Sequence, residues 1–442
     1  MFAAVPGEQE DGYDHIPQAI ERGAVCILCQ QPPQEEIPYL LVEDSRRALA
    51  QVSAAFYGYP AEQLTLLGVT GTNGKTTCTQ LLWQILPELT GEKVGLIGTN
   101  GNFVGDVELP AQRTTPESLD LQRLLTRMVE AGCRYVVMEV SSHALALSRV
   151  EGLHFRTAAF TNLTQDHLDY HKTMEAYAAA KAMLFTSCDY AVYNGDDPWG
   201  ERMIRDCGVP RLSYGQGLHC DLTGWQPVYD SRSVRFTAVS DGASCPVFMP
   251  IPGEFSMYNA LTVLAVLLSL GIPLEASAAA LKRCHGVRGR IEALDLPTPY
   301  TVLIDYAHTP DGLKNVLDAV RGFTEGRIIT VFGCGGDRDK GKRPKMARTA
   351  QEGSDQLILT SDNPRTESPY AILLDILAGL DGSKPFAVLE QRRDAIAYAL
   401  QCAHKGDVVL LAGKGHETYQ IRGSAVLPLD ERKIVRELLD VR

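Results

Sequence analysis

The chain has 442 residues, 45% of them hydrophobic and 22% charged, with a formal net charge of −12. That length exceeds one ordinary core, so two or three domains are expected, with the composition of a soluble globular protein. The acidic balance lacks a basic stripe and argues against nucleic acid, and no apolar run reaches membrane-spanning length. The N-terminus shows no charged segment ahead of an apolar stretch, so a soluble intracellular protein is expected. The 11 cysteines are scattered. Cys26 and Cys29 form a C-x-x-C with no second pair at zinc-ligand spacing, and the set reads as reduced thiols. Anionic substrates would require Lys and Arg concentrated locally.

The segment before about residue 46 reads as a small unit of its own. An apolar strand over 64–70 then runs into Gly71-Thr72-Asn73-Gly74-Lys75-Thr76-Thr77 and a helical pattern over 78–86. Strand, Gly-rich turn, Lys-Thr and helix form a phosphate cradle: backbone N–H groups face the phosphates, Lys75 bridges their oxygens and Thr76 offers a hydroxyl to Mg²⁺. Val69 stands where the generic G-x-x-x-x-G-K-[ST] pattern has its first Gly, and Gly68, Gly71 and Gly74 fall at steps of three instead.

A strand over 135–140 carries Glu139 near its C-terminal end, where a carboxylate can serve Mg²⁺ directly or through water. Ser141-Ser142-His143 follow. The stretch 161–171 crowds His167 and His171 beside Asp166 and Asp169, whereas Lys181, in a helical Ala-rich run, reads by itself as a solvated surface lysine. A helical pattern over 258–283 leads to 286–290, a plausible connector between two α/β domains. Four further strands, over 300–306, 328–332, 356–360 and 408–412, each end in a polar loop: 305–311, 333–344, 361–365 and 413–417. In an open parallel sheet such loops converge on one crevice. One domain for ATP phosphates and another with a separate polar crevice is the layout of a two-substrate transferase or ligase.

Taken in order, the segments 71–77, Thr114-Thr115-Pro116, 139–143, 162–171, 305–310, 362–365 and 413–417 resemble the Mur ligases, most closely the UDP-N-acetylmuramoyl-tripeptide synthetase branch, MurE. The resemblance spans nearly the whole chain. It implies an α/β, three-domain architecture: a partial N-terminal UDP-substrate domain (1–46), a P-loop-type central ATP-binding domain (47–289) and a Rossmann-like C-terminal amino-acid-binding domain (290–442). It implies a cytoplasmic, monomeric, ATP- and Mg²⁺-dependent amide ligase of peptidoglycan synthesis. Such an enzyme adds meso-diaminopimelate to UDP-N-acetylmuramoyl-L-alanyl-D-glutamate through an acyl phosphate.

By the same resemblance, Gly71, Thr72, Asn73, Gly74, Lys75, Thr76 and Thr77 bind ATP phosphates, and Asn259, Arg290 and Asp305 bind its adenine and ribose side. Thr76, Glu139, His167 and Lys181 serve the metals, Lys181 as a carbamylated lysine formed with CO₂. Lys75, Lys181, His167 and Glu139 form the catalytic set. Thr114, Thr115, Ser141 and Arg149 contact the UDP-muramoyl peptide, and Arg338, Asp362, Asn363, Arg365, Gly413 and Glu417 hold the amino acid. Arg365 offers a bidentate fork to the extra carboxylate of diaminopimelate. The chain departs from the family pattern in three respects. It begins at a point that resembles the middle of the N-terminal domain, without the uridine-holding Ser-Arg motif. Ser256 replaces the first Asn of an F-N-x-x-N, and Arg288 stands where Pro is usual, with Leu147 in a position that is Gln in some members. Addition of lysine or another amino acid, a folylpolyglutamate- or cyanophycin-type ligase, and an inactive nucleotide-binding paralogue stay open as alternatives.

Overall fold

The computed structural model describes residues 1–7, 11–230 and 232–441. They divide into two compact units, 1–223 with 261–277 and 224–260 with 278–442. No helix among the described residues is long and apolar enough to cross a membrane.

The first unit opens with a small parallel sheet, Phe2–Ala3, Ile27–Cys29 and Tyr39–Leu41, around a minor core of Ala4, Ile16, Ile27 and Cys29. Its main sheet runs in space Arg211–Gly215, Ala191–Asn194, Thr157–Phe160, Thr65–Thr70, Cys133–Glu139, Lys93–Gly98, all parallel. An antiparallel extension, Gly101–Val104 and Val107–Leu109, follows. The strand Thr65–Thr70 is therefore interior, and the ends of its two neighbours deliver Glu139 and Thr161 beside the loop that leaves it. Parallel strands covered on both faces read as unbroken apolar runs, which is why these strands were visible without alternation.

The helix after the loop runs Lys75–Thr90, three residues earlier than the apolar periodicity suggests. Its N-cap is Gly74 at φ 87°, a residue with no side chain to announce a helix start. The pattern over 258–283 is two helices, Glu254–Ser269 and Leu274–Leu281. Gly271 at φ +80° and Pro273 separate them, the first ending a helix and the second starting one.

In the second unit a six-stranded sheet runs Glu292–Ala293, Thr301–Asp305, Val408–Ala412, Ile328–Phe332, Gln356–Leu359, Phe386–Val388, parallel except for the first pair. Val408, Leu410 and Ala412 enter one core while Val409 and Leu411 enter another on the opposite face. That is the signature of a sheet with helices on both sides. An antiparallel pair, Val234–Ser240 with Ala243–Met249, also belongs to this unit. Residues 286–290 are more than a loose connector: a Cβ on Gly289 (φ +70°) would collide with the Gly415 and His416 backbone.

Candidate active site

The phosphate loop is built around glycine. Gly71 sits at φ +149°, and a Cβ there would overlap the Thr161 hydroxyl. Thr161 Oγ1 donates to the Asn73 carbonyl at 2.5 Å, the Asn73 N–H donates to Asn162 Oδ1 at 2.9 Å, and the Thr72 N–H to the Asn162 carbonyl at 2.8 Å. The neighbouring strand thus holds the loop open in its cradle shape. Lys75 Nζ lies over the loop, donating to the Gly71 and Thr72 carbonyls at 2.9 and 2.8 Å.

Lys181 is not a surface residue: it is 1% exposed, and its Nζ donates to the Gly71 carbonyl at 2.8 Å, 4.6 Å from the centre of the Tyr177 ring. Burial first, and Lys75 second, hold its pKa well below the ordinary lysine value. The adjacent Tyr177 hydroxyl lies 3.2 Å from Thr72 Oγ1. Glu139 is also buried. Thr76 Oγ1 donates to its Oε2 at 3.0 Å and the Thr99 N–H to its Oε1 at 2.7 Å. His167, half-exposed at φ +53°, packs edge-on to His143 at 4.8 Å and lies near Tyr177. Its pKa is lowered by desolvation, with Asp166 opposing and Lys75 and Lys181 reinforcing the shift. His143, beside His167, His171 and Tyr170, is pushed down to about 4, chiefly by burial.

A second group continues from Glu139. Thr99 Oγ1 lies 3.0 Å from Thr114 Oγ1, and Thr115 Oγ1 donates to the Glu139 carbonyl at 2.8 Å. Thr115 Oγ1 also accepts the Ser141 N–H at 3.1 Å, while Ser141 caps the helix Ser142–Ala146 through Ala144 N. Arg149, buried, donates to the Thr115 carbonyl at 3.2 Å and pairs with Glu117 at 2.9 Å. A cleft of about 350 Å³ lies alongside, lined among others by Arg113, Pro116, Glu117 and Arg123. Thr77 is buried in the first turn of its helix, and Leu147 caps the end of Ser142–Ala146.

The four polar loops of the second unit do converge. The Gly413 N–H donates to the Asp305 carbonyl at 3.0 Å, and a Cβ on Gly413 would meet Asp362 Oδ2 at 2.9 Å. Asn363 Nδ2 donates to Glu417 Oε2 at 2.9 Å, and the fully buried Lys414 bridges Glu417 Oε2 (2.8 Å) and Asn363 Oδ1 (3.0 Å). Arg365 is held in the left-handed region at φ +51°, with its N–H on the Ile421 carbonyl and its own carbonyl accepting Gly423 N–H. Its Nη1 donates to the Gly336 carbonyl at 2.8 Å. A Cβ on Gly335 would lie 3.0 Å from that Nη1 and 3.9 Å from Arg338 Cγ, so the exposed Arg338 flanks the same turn. Asp305 is buried and accepts the Ile291 and Ala307 N–H groups, each at 2.7 Å. Burial raises its pKa while the nearby Arg290 lowers it. The Arg290 guanidinium lies 5.2 Å over the Tyr306 ring. Asn259 is buried in the helix Glu254–Ser269, and Ser256 donates to the Pro252 carbonyl at 2.7 Å. Arg288 pairs with Asp430 at 3.7 Å.

Thr99, Tyr177 and Lys414 were not singled out by the sequence. Thr99 follows the strand Lys93–Gly98, and only the pairing of that strand with Cys133–Glu139 brings it to Glu139. Lys414 stands inside the 413–417 loop, which the sequence marked as polar without giving this residue a role. The donor set in the first unit, a hydroxyl and a buried carboxylate beside a phosphate loop, is the hard-oxygen chemistry that suits Mg²⁺.

Family models match most of the chain: the Mur ligase catalytic domain at residues 1–57, the Mur ligase middle domain at 69–267 and the Mur ligase glutamate ligase domain at 289–415. A UDP-N-acetylmuramoyl-L-alanyl-D-glutamate–2,6-diaminopimelate ligase of Caldanaerobacter subterraneus subsp. tengcongensis is 46% identical, covering 99% of this chain and 92% of that protein. The corresponding ligase 1 of Clostridium acetobutylicum is 45% identical with the same coverage. A solved structure of a ligase of that name superposes with a TM-score of 0.71 at 32% identity, covering 99% of this chain and 91% of the other.

Proposed function

The chain belongs to the Mur ligase family, and from that premise we propose that it joins meso-diaminopimelate to UDP-N-acetylmuramoyl-L-alanyl-D-glutamate at the expense of ATP. The reaction forms an acyl phosphate from the glutamate carboxylate and the γ-phosphate. The amine of the incoming amino acid then attacks the acyl carbon, and phosphate leaves.

In this reading the N–H groups of the 71–77 loop and the N-terminus of Lys75–Thr90 receive the phosphates, and Lys75 turns from the loop carbonyls onto their oxygens. Thr76, Glu139 and His167 would hold Mg²⁺, which when bound neutralises phosphate charge. Lys181 joins them as a carbamate: CO₂ adds to a neutral amine, and the buried, charge-crowded Lys181 supplies one more readily than a solvated lysine. Thr114, Thr115, Ser141 and Arg149 orient the muramoyl peptide. In the second unit Arg365, with Arg338 beside it, pairs with the distal carboxylate of diaminopimelate, and Asp362, Asn363, Gly413 and Glu417 receive its amino groups. Catalysis is positioning and charge neutralisation more than covalent chemistry.

The observation that carries this reading is the burial of Lys181 and Glu139 around one phosphate loop, an expensive arrangement for a protein that does nothing with it. The test is phosphate release with the UDP-muramoyl dipeptide and each of meso-diaminopimelate, lysine, ornithine and glutamate. Release that requires meso-diaminopimelate, with the tripeptide product identified by mass, is expected. Preference for lysine or glutamate, or release that ignores the amino acid, overturns it.

A further inference from the structure

Away from the candidate active site, Asp196, His219 and Cys220 bring a carboxylate oxygen, an imidazole nitrogen and a thiol sulfur within 4.8 Å of one another. Asp196 lies just past the strand Ala191–Asn194, and His219 and Cys220 lie past its parallel neighbour Arg211–Gly215. Asp196 Oδ1 is 4.0 Å from both His219 Nε2 and Cys220 Sγ, and His219 Nε2 lies 3.1 Å from the Gly195 carbonyl, a contact it would give up on binding a metal. The Gln216 and Gly217 N–H groups donate to the two Asp196 oxygens at 2.5 and 3.1 Å, which fixes the carboxylate.

Each of the three side chains is approached by a glycine. A Cβ on Gly195 would stand 2.7 Å from Cys220 Sγ, one on Gly215 2.5 Å from Asp196 Oδ2, and one on Gly217 2.5 Å from His219 Nδ1. None of these glycines has a positive φ, so it is space and not backbone conformation that excludes a side chain. Three glycines at close approach to three potential ligands make a built cradle.

We propose that Asp196, His219 and Cys220 bind one thiophilic divalent transition-metal ion of the zinc class. A mixed O, N, S donor set favours such an ion over Mg²⁺, which takes oxygen. Ligand bonds of about 2.0–2.3 Å place tetrahedral donors roughly 3.3–3.8 Å apart, so the two 4.0 Å separations close with shifts of a fraction of an ångström and the set as a whole, spread over up to 4.8 Å, with side-chain shifts of about 1 Å. Water would take the fourth position. Burial and the nearby Asp196 and Asp221 push the Cys220 thiol up to about 11. As the sulfur–metal bond forms, the S–H bond breaks and its proton passes to solvent.

The site bears on the phosphate loop through a short chain of bonds. The Asp196 N–H donates to Asn194 Oδ1 at 3.0 Å, Asn194 Nδ2 to the Thr161 carbonyl at 3.0 Å, and Thr161 Oγ1 to the Asn73 carbonyl at 2.5 Å. A bound ion would brace the turn from which that chain starts.

Cobalt(II) titration of the full chain tests the assignment. A sulfur-to-cobalt charge-transfer absorption that saturates at one equivalent, is bleached by zinc and is indifferent to excess Mg²⁺ is expected. Cys220→Ser should remove it, and the exposed-site variant His219→Ala should weaken cobalt binding about tenfold or more. Both variants should keep the wild-type circular dichroism. A band that survives Cys220→Ser, an affinity unchanged by His219→Ala, or no band in the wild type overturns the proposal.

Discussion

Lys75 and Lys181, 106 positions apart in the chain, donate to the same atom, the carbonyl oxygen of Gly71, at 2.9 and 2.8 Å. Two ammonium groups converging on one carbonyl repel, and the buried one yields: Lys181 carries the lowered pKa, with desolvation its main cause and Lys75 the next. The same contact that discourages a charged Lys181 also presents its amine at the phosphate loop. In the proposed carbamylated form the side chain would be an anion, and the repulsion would turn into attraction toward Lys75 and a metal.

Lys181→Ala is therefore expected to lower kcat by about a hundredfold or more, since in the proposed role it removes a charge that would act in the transition state. Added bicarbonate should not restore activity to the variant, because no amine remains to carry CO₂. Partial rescue by a short carboxylate such as formate would show that a missing anion is the defect. Wild-type turnover in Lys181→Ala would remove this residue from the mechanism.

Thr99→Val isolates the support given to Glu139. The variant keeps the Thr99 N–H bond to Glu139 Oε1 at 2.7 Å but loses the hydroxyl contacts to Oε2 at 3.2 Å and to Thr114 at 3.0 Å. Groups that orient a metal-binding carboxylate are typically worth about 10- to 100-fold in metal affinity. The Mg²⁺ concentration for half-maximal activity should rise by that order, with little change in thermal stability. An unchanged Mg²⁺ requirement would make the hydroxyl a bystander.

Arg365→Lys should raise the KM for meso-diaminopimelate by about 10- to 100-fold, the equivalent of one charge-assisted hydrogen bond of roughly 1.5–3 kcal/mol, and alter kcat much less. The left-handed backbone at Arg365 is an uncommon conformation kept by two main-chain hydrogen bonds to the segment 421–423. It aims a guanidinium fork that lysine cannot reproduce. Any slow reaction with L-lysine, which has no distal carboxylate, should be unaffected. Equal losses for both amino acids would argue that Arg365 only shapes the loop.

What could be read from the chain beforehand follows from how local each signal is. The 71–77 cradle was legible because its glycines, Lys75 and Thr76 are contiguous, and the buried strands because a parallel sheet demands apolar residues on both faces. The burial of Lys181 was not, because its helix Met174–Ala182 shows only alanines around it and the acceptor lies 110 residues away. Thr99 was hidden for the same reason: its partner depends on strand order. The break at Gly271 and Pro273 could have been read, since that pair punctuates any helical pattern.

Acid sensitivity supplies a last test, centred on Glu367. The side chain of Arg343, wholly buried, donates to it at 2.7 and 3.1 Å, and the Asp337 N–H donates at 2.6 Å, so Glu367 ties the loop before Arg338 to the loop that carries Arg365. These bonds, the Arg343 pair foremost, lower its pKa from 4.5 to about 2. Because the folded value lies below the unfolded one, the unfolded chain takes up the proton first as pH falls. The stabilisation is complete above about 4.5 and is lost as pH drops through about 2. Glu367→Gln, which cannot ionise, should be less stable than wild type at pH 5, and the gap should narrow toward pH 2.5. Urea unfolding at several pH values measures both. Parallel stability–pH curves for the two proteins would show that Glu367 is not a source of the acid dependence.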